Sequence, residues 1–162
     1  AKAAGARVLA TASGEAGLAW ARSAGADAVY DYRAPDLAER ILDGTGGVPV
    51  DRIVEVEFGL NVETDSRVIA ENGTIAVYGS ALDMTPKVPV YPLLFKAVTV
   101  DLLLIYLLTP AQRRASIGTL TDLLDRGALD VPIHQTYTLA DCAKAHEAVE
   151  AGGRRGAVIV TP

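Results

Sequence analysis

The side chains with chemistry to offer are few and spread along the chain. Ser13 places a hydroxyl directly after the apolar run "RVLATA", and Tyr32 and Arg33 close a second such run in "DAVYDYR". Glu55 and Glu57 flank Val56 in "RIVEVEF", a stretch apolar enough to be a buried strand, where a charge is costly unless partnered. Asn61 follows, and "YGSA", Tyr78 to Ala81, ends a further apolar run. His134 and His146 are the only imidazoles and Cys142 the only thiol. His146 lies in the helical phrase "AKAHEAVE" and His134 in a strand-like one. His146 reads as structural and His134 has no acidic or cysteine partner nearby, so neither is assigned a ligand role. A lone cysteine excludes an internal disulfide and a multi-thiolate zinc site.

The elements that must position these groups alternate. Strands are expected at Arg7–Ala12, Ala28–Tyr32, Arg52–Val56, Thr74–Tyr78 and Val98–Ile105, with helices near Ala16–Ser23, Pro35–Leu42 and Asn61–Ala70. Strands such as "TIAVY" are continuously apolar, as in a parallel sheet covered on both faces. Gly25 and Gly73 supply turns before strands. Pro86, Pro89 and Pro92 make the passage before the fifth strand a loop with one short helical turn. The fold class is α/β, an open, doubly wound parallel sheet. "TPAQRRASIGTLTDLLDRG" then reads as a helix capped by Thr109 with Pro110 at its first position. A strand, a helix and a strand follow in "IHQTYTL", "ADCAKAHEAVEAG" and "GAVIVTP". The sequence places a boundary near Gly127 to Asp130, giving a nucleotide-type domain over 1–127 and a tail over 128–162.

Composition narrows the function. Half of the 162 residues are hydrophobic, enough for a core, and a dispersed net charge of −5 argues against nucleic acid or an anionic membrane as partner. "LLLIYLL", Leu102 to Leu108, is too short to cross a bilayer. A cytoplasmic protein is expected. Ala1 to Gly5 read as the last turn of a helix ended by a left-handed glycine, with no start signal before them.

No G-x-G-x-x-G motif is present, yet Ser13 stands at the strand tip where a dinucleotide fold reads the adenosine ribose. An NAD site usually places Asp or Glu there, so a serine leaves room for a 2′-phosphate. Ser13 reads equally well as the cap of the next helix.

The segments "AKAAGARVLATASGEAGLAWARSAGADAVYDYR", "GGVPVDRIVEVEFGLN", "ENGTIAVYGS", "PLLFKAVTV", "LTPAQRRA" and "TYTLADCAKAHEAVEAGGRRGAVIVTP" carry a resemblance along the whole chain. They resemble the medium-chain dehydrogenase/reductase superfamily, in its zinc-independent quinone oxidoreductase branch that includes zeta-crystallin. The resemblance implies a Rossmann-like domain entered just after its Gly-rich loop, with first strand and loop absent and 128–162 belonging to the catalytic domain. It implies that Ser13, Tyr32 and Arg33 surround the 2′-phosphate of NADP, against Glu15, which would repel it; NAD is the less favoured cofactor. It places Asn61 near the cofactor ribose, and Tyr78, Gly79, Ser80, Ala81 and the backbone of Leu102, Leu103 and Leu104 at the nicotinamide. Asn61 could equally cap its helix, Tyr32 be an ordinary strand-end residue, and Gly79 a turn glycine.

The expected activity is hydride transfer from NADPH to a quinone or enone, without zinc and with no catalytic residue in this chain. The alternative is a catalytically silent, crystallin-like nucleotide-binding protein. The resemblance further implies a homodimer through Val98–Leu108. The 162 residues made alone are expected to bind NADPH poorly and to be inactive. Glu55 and Glu57 have no assigned role at this stage.

Overall fold

The computed structural model describes residues 1–162 and divides into two compact units, Ala1–Leu108 and Thr109–Pro162. In the first unit, strands β1 (Leu9–Ala12) and β2 (Ala28–Asp31) pair in parallel. Strands β3 (Val50–Glu55), β4 (Ile69–Val77) and β5 (Thr99–Leu102) form a second parallel sheet in that order. Helices α1 (Gly14–Ser23), α2 (Leu37–Gly44), α3 (Phe58–Val68) and α4 (Val90–Phe95) make the crossovers. This is the expected α/β architecture of parallel strands joined by helices.

Two apolar clusters hold the unit together. Leu37, Ala38 and Ile41 of α2 pack with Val68 and reach both sheets, touching Leu9 and Tyr30 on one side and Val50 and Ile53 on the other. Phe58 and Val62 of α3 pack with Ile69, Ile75, Val77 and Leu93. β1 and β3 thus lie under one helix but share no hydrogen-bonded ladder.

Several boundaries differ from the sequence expectation, each for a local reason. Helix α3 starts three residues earlier than the expected Asn61, because Phe58 N–H donates to Gly79 O (3.1 Å) and Leu60 N–H to Glu57 O (3.2 Å). Asn61 therefore sits inside the helix and does not cap it. Gly73 is not the left-handed residue of its turn; Asn72 is, with φ 58°. A Cβ on Gly73 would instead press on Ile69 and the Ala70 carbonyl. Lys96 secures this corner: its Nζ donates to Ser66 O (2.8 Å), Arg67 O (3.1 Å) and Ile69 O (2.8 Å). Those carbonyls end α3 and have no helical partner of their own. Strand β5 stops at Leu102, short of the expected Ile105, and Ile105–Leu107 form a 3-10 turn with exposed side chains. At the start, Lys2–Ala4 form a short 3-10 turn ended by Gly5 at φ 82°, the left-handed stop that the residues suggest. Asp27 ties that turn to β1, accepting from Lys2 Nζ (2.7 Å) and Val8 N–H (2.6 Å).

In the second unit, β6 (Ile133–Thr138), α6 (Cys142–Glu150) and β7 (Ala157–Thr161) form a parallel strand–helix–strand unit, matching the expected tail. Helix α5 (Pro110–Asp125) opens on a capping box: Thr109 Oγ1 accepts from Gln112 N–H (3.3 Å) and Gln112 Oε1 accepts from Thr109 N–H (2.9 Å). The compact units divide before α5, whereas the sequence places its boundary after that helix.

Candidate functional site

The candidate groups collect at the C-terminal ends of the parallel strands, the edge where open α/β sheets take ligands. At the tips of β1 and β2 the chain brings Ser13, Tyr32 and Arg33 together. Tyr32 Oη donates to Ser13 Oγ at 3.0 Å. Ser13 precedes α1, but its side chain makes no capping bond; its hydroxyl faces Tyr32 instead. Arg33 is held by Asp31, with Nε to Oδ1 and Nη2 to Oδ2 both at 3.2 Å, and Arg33 N–H donates to Oδ1 at 3.0 Å. The Arg33 guanidinium lowers the Asp31 pKa below the usual carboxylate value, and Asp31 in turn raises that of Arg33. Next to them, Gly14 has φ 70°, and a Cβ there would stand 3.9 Å from Arg33 Nη2. The exposed ring of Tyr32 and the guanidinium of Arg33, the latter paired to Asp31, thus flank an open backbone step.

The second group of residues sits at the ends of β3 and β4. Glu55 is 6% exposed, and its Oε1 accepts from Glu57 N–H (2.5 Å) and Asn61 Nδ2 (3.0 Å). The Glu57 carboxylate accepts from the backbone N–H groups of Ala81 (3.0 Å), Leu82 (2.9 Å) and Asp83 (3.4 Å). The two carboxylates left without a role by the sequence therefore have donors in place. Glu55 binds the start of α3, and Glu57 pins the loop after β4. Ser80 joins the same corner: its Oγ accepts from Gly59 N–H (2.8 Å) and donates to the Asp83 carbonyl. The room at Gly79 is taken by the Val56 carbonyl, against which a Cβ would collide. Its lack of a side chain serves the chain's own packing. Of the Tyr78–Ala81 turn, Tyr78 and Ala81 are exposed, whereas Gly79 and Ser80 are half-buried. Beside it, Leu103 N–H donates to Val77 O at 2.7 Å, which brings Leu102, Leu103 and Leu104 to the end of β4.

This arrangement of parallel strands can be set beside known proteins. The family model of zinc-binding dehydrogenases matches residues 1–124. The chain belongs to the zinc-binding dehydrogenase family. It is 28% identical to a quinone oxidoreductase of Pseudomonas aeruginosa, over 100% of this chain and 51% of that protein. It superposes on a mycobacterial quinone oxidoreductase with a TM-score of 0.89 at 26% identity, covering 99% of this chain and 50% of the other. A mycobacterial protein solved in complex with NADPH matches with a TM-score of 0.81 at 27% identity, over 96% of this chain and 50% of that one. The chain spans about half the length of these relatives, matching the portion that the resemblance implies. The relatives named as quinone oxidoreductases belong to the same superfamily as this chain.

The zinc in the family's description has no fitting donors among the 162 residues of this dehydrogenase-family chain. Its one cysteine, Cys142, is exposed, and no three His, Cys, Asp or Glu side chains converge. No helix is long and apolar enough to cross a membrane.

Sequence reasoning missed two residues of this unit. Asp31 fixes Arg33, and the signal was its place two residues before a guanidinium at a strand end. Asp65 is buried on α3, and its Oδ2 has no partner. Its signal was periodicity: Phe58, Val62, Asp65 and Ser66 share one helical face, which the two apolar residues mark as the inner one.

Proposed function

We propose that this chain is the nucleotide-binding half of an NADPH-dependent oxidoreductase of quinone reductase type. The reduced nicotinamide, when bound, supplies a hydride to a quinone or enone. The chain's own residues bind and orient. Ser13, Tyr32 and Arg33 take the adenosine 2′-phosphate. Asn61 meets the ribose, and Tyr78, Gly79, Ser80 and Ala81, with the backbone of Leu102–Leu104, form the wall at the nicotinamide. The supporting observation is the Tyr32–Ser13 hydrogen bond with Arg33 beside Gly14. The strand tip that an NAD site would fill with an acidic acceptor carries donors here. Zinc has no part in this reading, and the lone thiol suits a reducing cytoplasm.

The test is Arg33→Ala in the intact enzyme. NADPH should weaken by about 1–2 kcal/mol, the scale of a charge-assisted hydrogen bond, with NADH unaffected. Equal affinity of the parent for both coenzymes would count against the assignment.

The same reading includes a strand between β1 and β3, under α2, that carries the phosphate-binding loop; without it the 162 residues are expected to be inactive. It also includes an isologous homodimer through Val98–Leu108. β5 is an edge strand with all four residues exposed, and the apolar residues from Leu103 to Leu107 follow it in the open. A Val100→Lys variant should halve the mass measured by light scattering at micromolar concentration. A monomeric parent would refute the dimer.

A further inference from the structure

The start of α3 offers a nucleotide less than its position suggests. Phe58 N–H is bound to Gly79 O, Gly59 N–H to Ser80 Oγ and Leu60 N–H to Glu57 O. The free N–H groups that make a helix start attractive to phosphate are therefore occupied. Glu55 and Glu57 also place two carboxylates at this corner, which disfavours an anion. An anion is the wrong ligand for it. Two side-chain oxygens of the corner have no partner in the chain, Glu55 Oε2 and Asn61 Oδ1, and the uncharged acceptor of the two, Asn61 Oδ1, is on a half-buried residue and not sealed off.

Which atom of the Asn61 amide faces outward depends on Glu55. The Glu55 Oε1 atom lies 3.0 Å from Asn61 Nδ2 and is itself held by Glu57 N–H. A flipped amide would set Oδ1 against Oε1, two acceptors at hydrogen-bond distance with no proton between them. The buried carboxylate thus excludes the flip. We propose that Glu55 is a positioning residue that locks Asn61 with its carbonyl oxygen outward, as an acceptor for a neutral hydroxyl donor of the coenzyme ribose. This rests on the nucleotide site proposed above. It assigns the two ends of that site opposite polarity: donors at Ser13, Tyr32 and Arg33 for an anion, and one fixed acceptor at Asn61 for a hydroxyl.

The experiment compares Glu55→Met, Asn61→Ala and the double variant in the intact enzyme, with NADPH and NADH as the varied substrates. A methionine at 55 keeps the length of the side chain but offers Asn61 Nδ2 no acceptor, so the amide is free to turn. Both single variants should raise KM about tenfold for NADPH and NADH alike, with kcat within a factor of two. The double variant should be no worse than Asn61→Ala, because Glu55 acts through Asn61. If Glu55→Met does not fold, Glu55→Asp withdraws the carboxylate by one methylene and should give the same pattern. Additive losses in the double variant, or a fall in kcat with KM unchanged, would overturn the role. If the parent binds neither coenzyme, the nucleotide reading itself fails. If it binds both and Glu55→Met leaves KM unaltered, this inference alone fails.

Discussion

Replacing Asp65 with asparagine should make the protein more stable, relative to the parent, as pH rises from about 4 to about 8. Asp65 is 5% exposed and its Oδ2 has no hydrogen-bond partner. Burial, and then the charge of nearby Glu55, push its pKa from 3.8 up to about 8. A carboxyl whose pKa is raised by folding binds its proton more tightly in the native state than in the unfolded one. Its stabilising protonation is fully present below pH 3.8 and is lost as pH rises through about 8. Across that window the parent loses at most about 1.4 kcal/mol per pH unit from this one group. The asparagine side chain does not titrate, so the variant lacks the slope. Any cost of burying the amide is the same at every pH.

The exposed carboxylates Asp27, Asp31, Asp36, Glu39 and Asp141 work the other way. Their cationic partners lower their pKa values, so their contribution is lost as pH falls below the ordinary carboxylate range. That loss is common to parent and variant. Urea unfolding at pH 4.5, 6 and 7.5 therefore isolates Asp65 through the difference between the two proteins. A difference that does not change with pH would show that Asp65 titrates normally in the folded chain.

How much of this edge can be read from residues alone depends on whether the controlling partner is near in sequence. β1, β2 and α1 follow from apolar runs and the glycine at position 25, because turns of that kind are local. The cap at Thr109 is legible for the same reason, since Gln112 is one turn away. The start of α3 is not, because its first N–H groups are taken by Gly79 and Ser80 across the sheet. Nor is the purpose of Glu55 and Glu57 legible. A pair of carboxylates in a buried strand reads as a cost, until Ala81 and Leu82 arrive from the next crossover to donate to Glu57. The end of β5 is a further case: "VTVDLLLIYLL" has strand composition throughout, yet β4 ends at Val77, whose carbonyl takes the Leu103 N–H, and the residues beyond have no strand to pair with. Ser13 and Tyr32 stand between these extremes. Each lies at a legible strand tip, and parallel pairing of β1 with β2 then brings the two hydroxyls together.

Gly79→Ala should be among the most damaging single-methyl changes in the chain. A Cβ at this position would collide with the Val56 carbonyl and come within 3.4 Å of the Val56 carbonyl carbon, both of them backbone atoms that cannot rotate away. The only relief is to part the ends of β3 and β4. That separation strains Tyr78 N–H to Glu55 O (3.0 Å), Phe58 N–H to Gly79 O (3.1 Å) and the bridge between Glu57 and Ser80. Overpacking of this kind costs about 1–3 kcal/mol, and weakened hydrogen bonds add to it. Gly118→Ala supplies the control. Gly118 lies within α5 with open space around it, so alanine there should stabilise by about 0.5–1 kcal/mol through helix propensity. The two variants add the same methyl group and should move the urea midpoint in opposite directions. In the intact enzyme, Gly79→Ala should also raise KM for NADPH and NADH together, because the displaced turn carries Tyr78 and the loop held by Glu57. A Gly79→Ala protein as stable as Gly118→Ala would mean that the β3 and β4 ends can part without cost, and the corner built on Glu55 and Glu57 would then be too loose to hold Asn61.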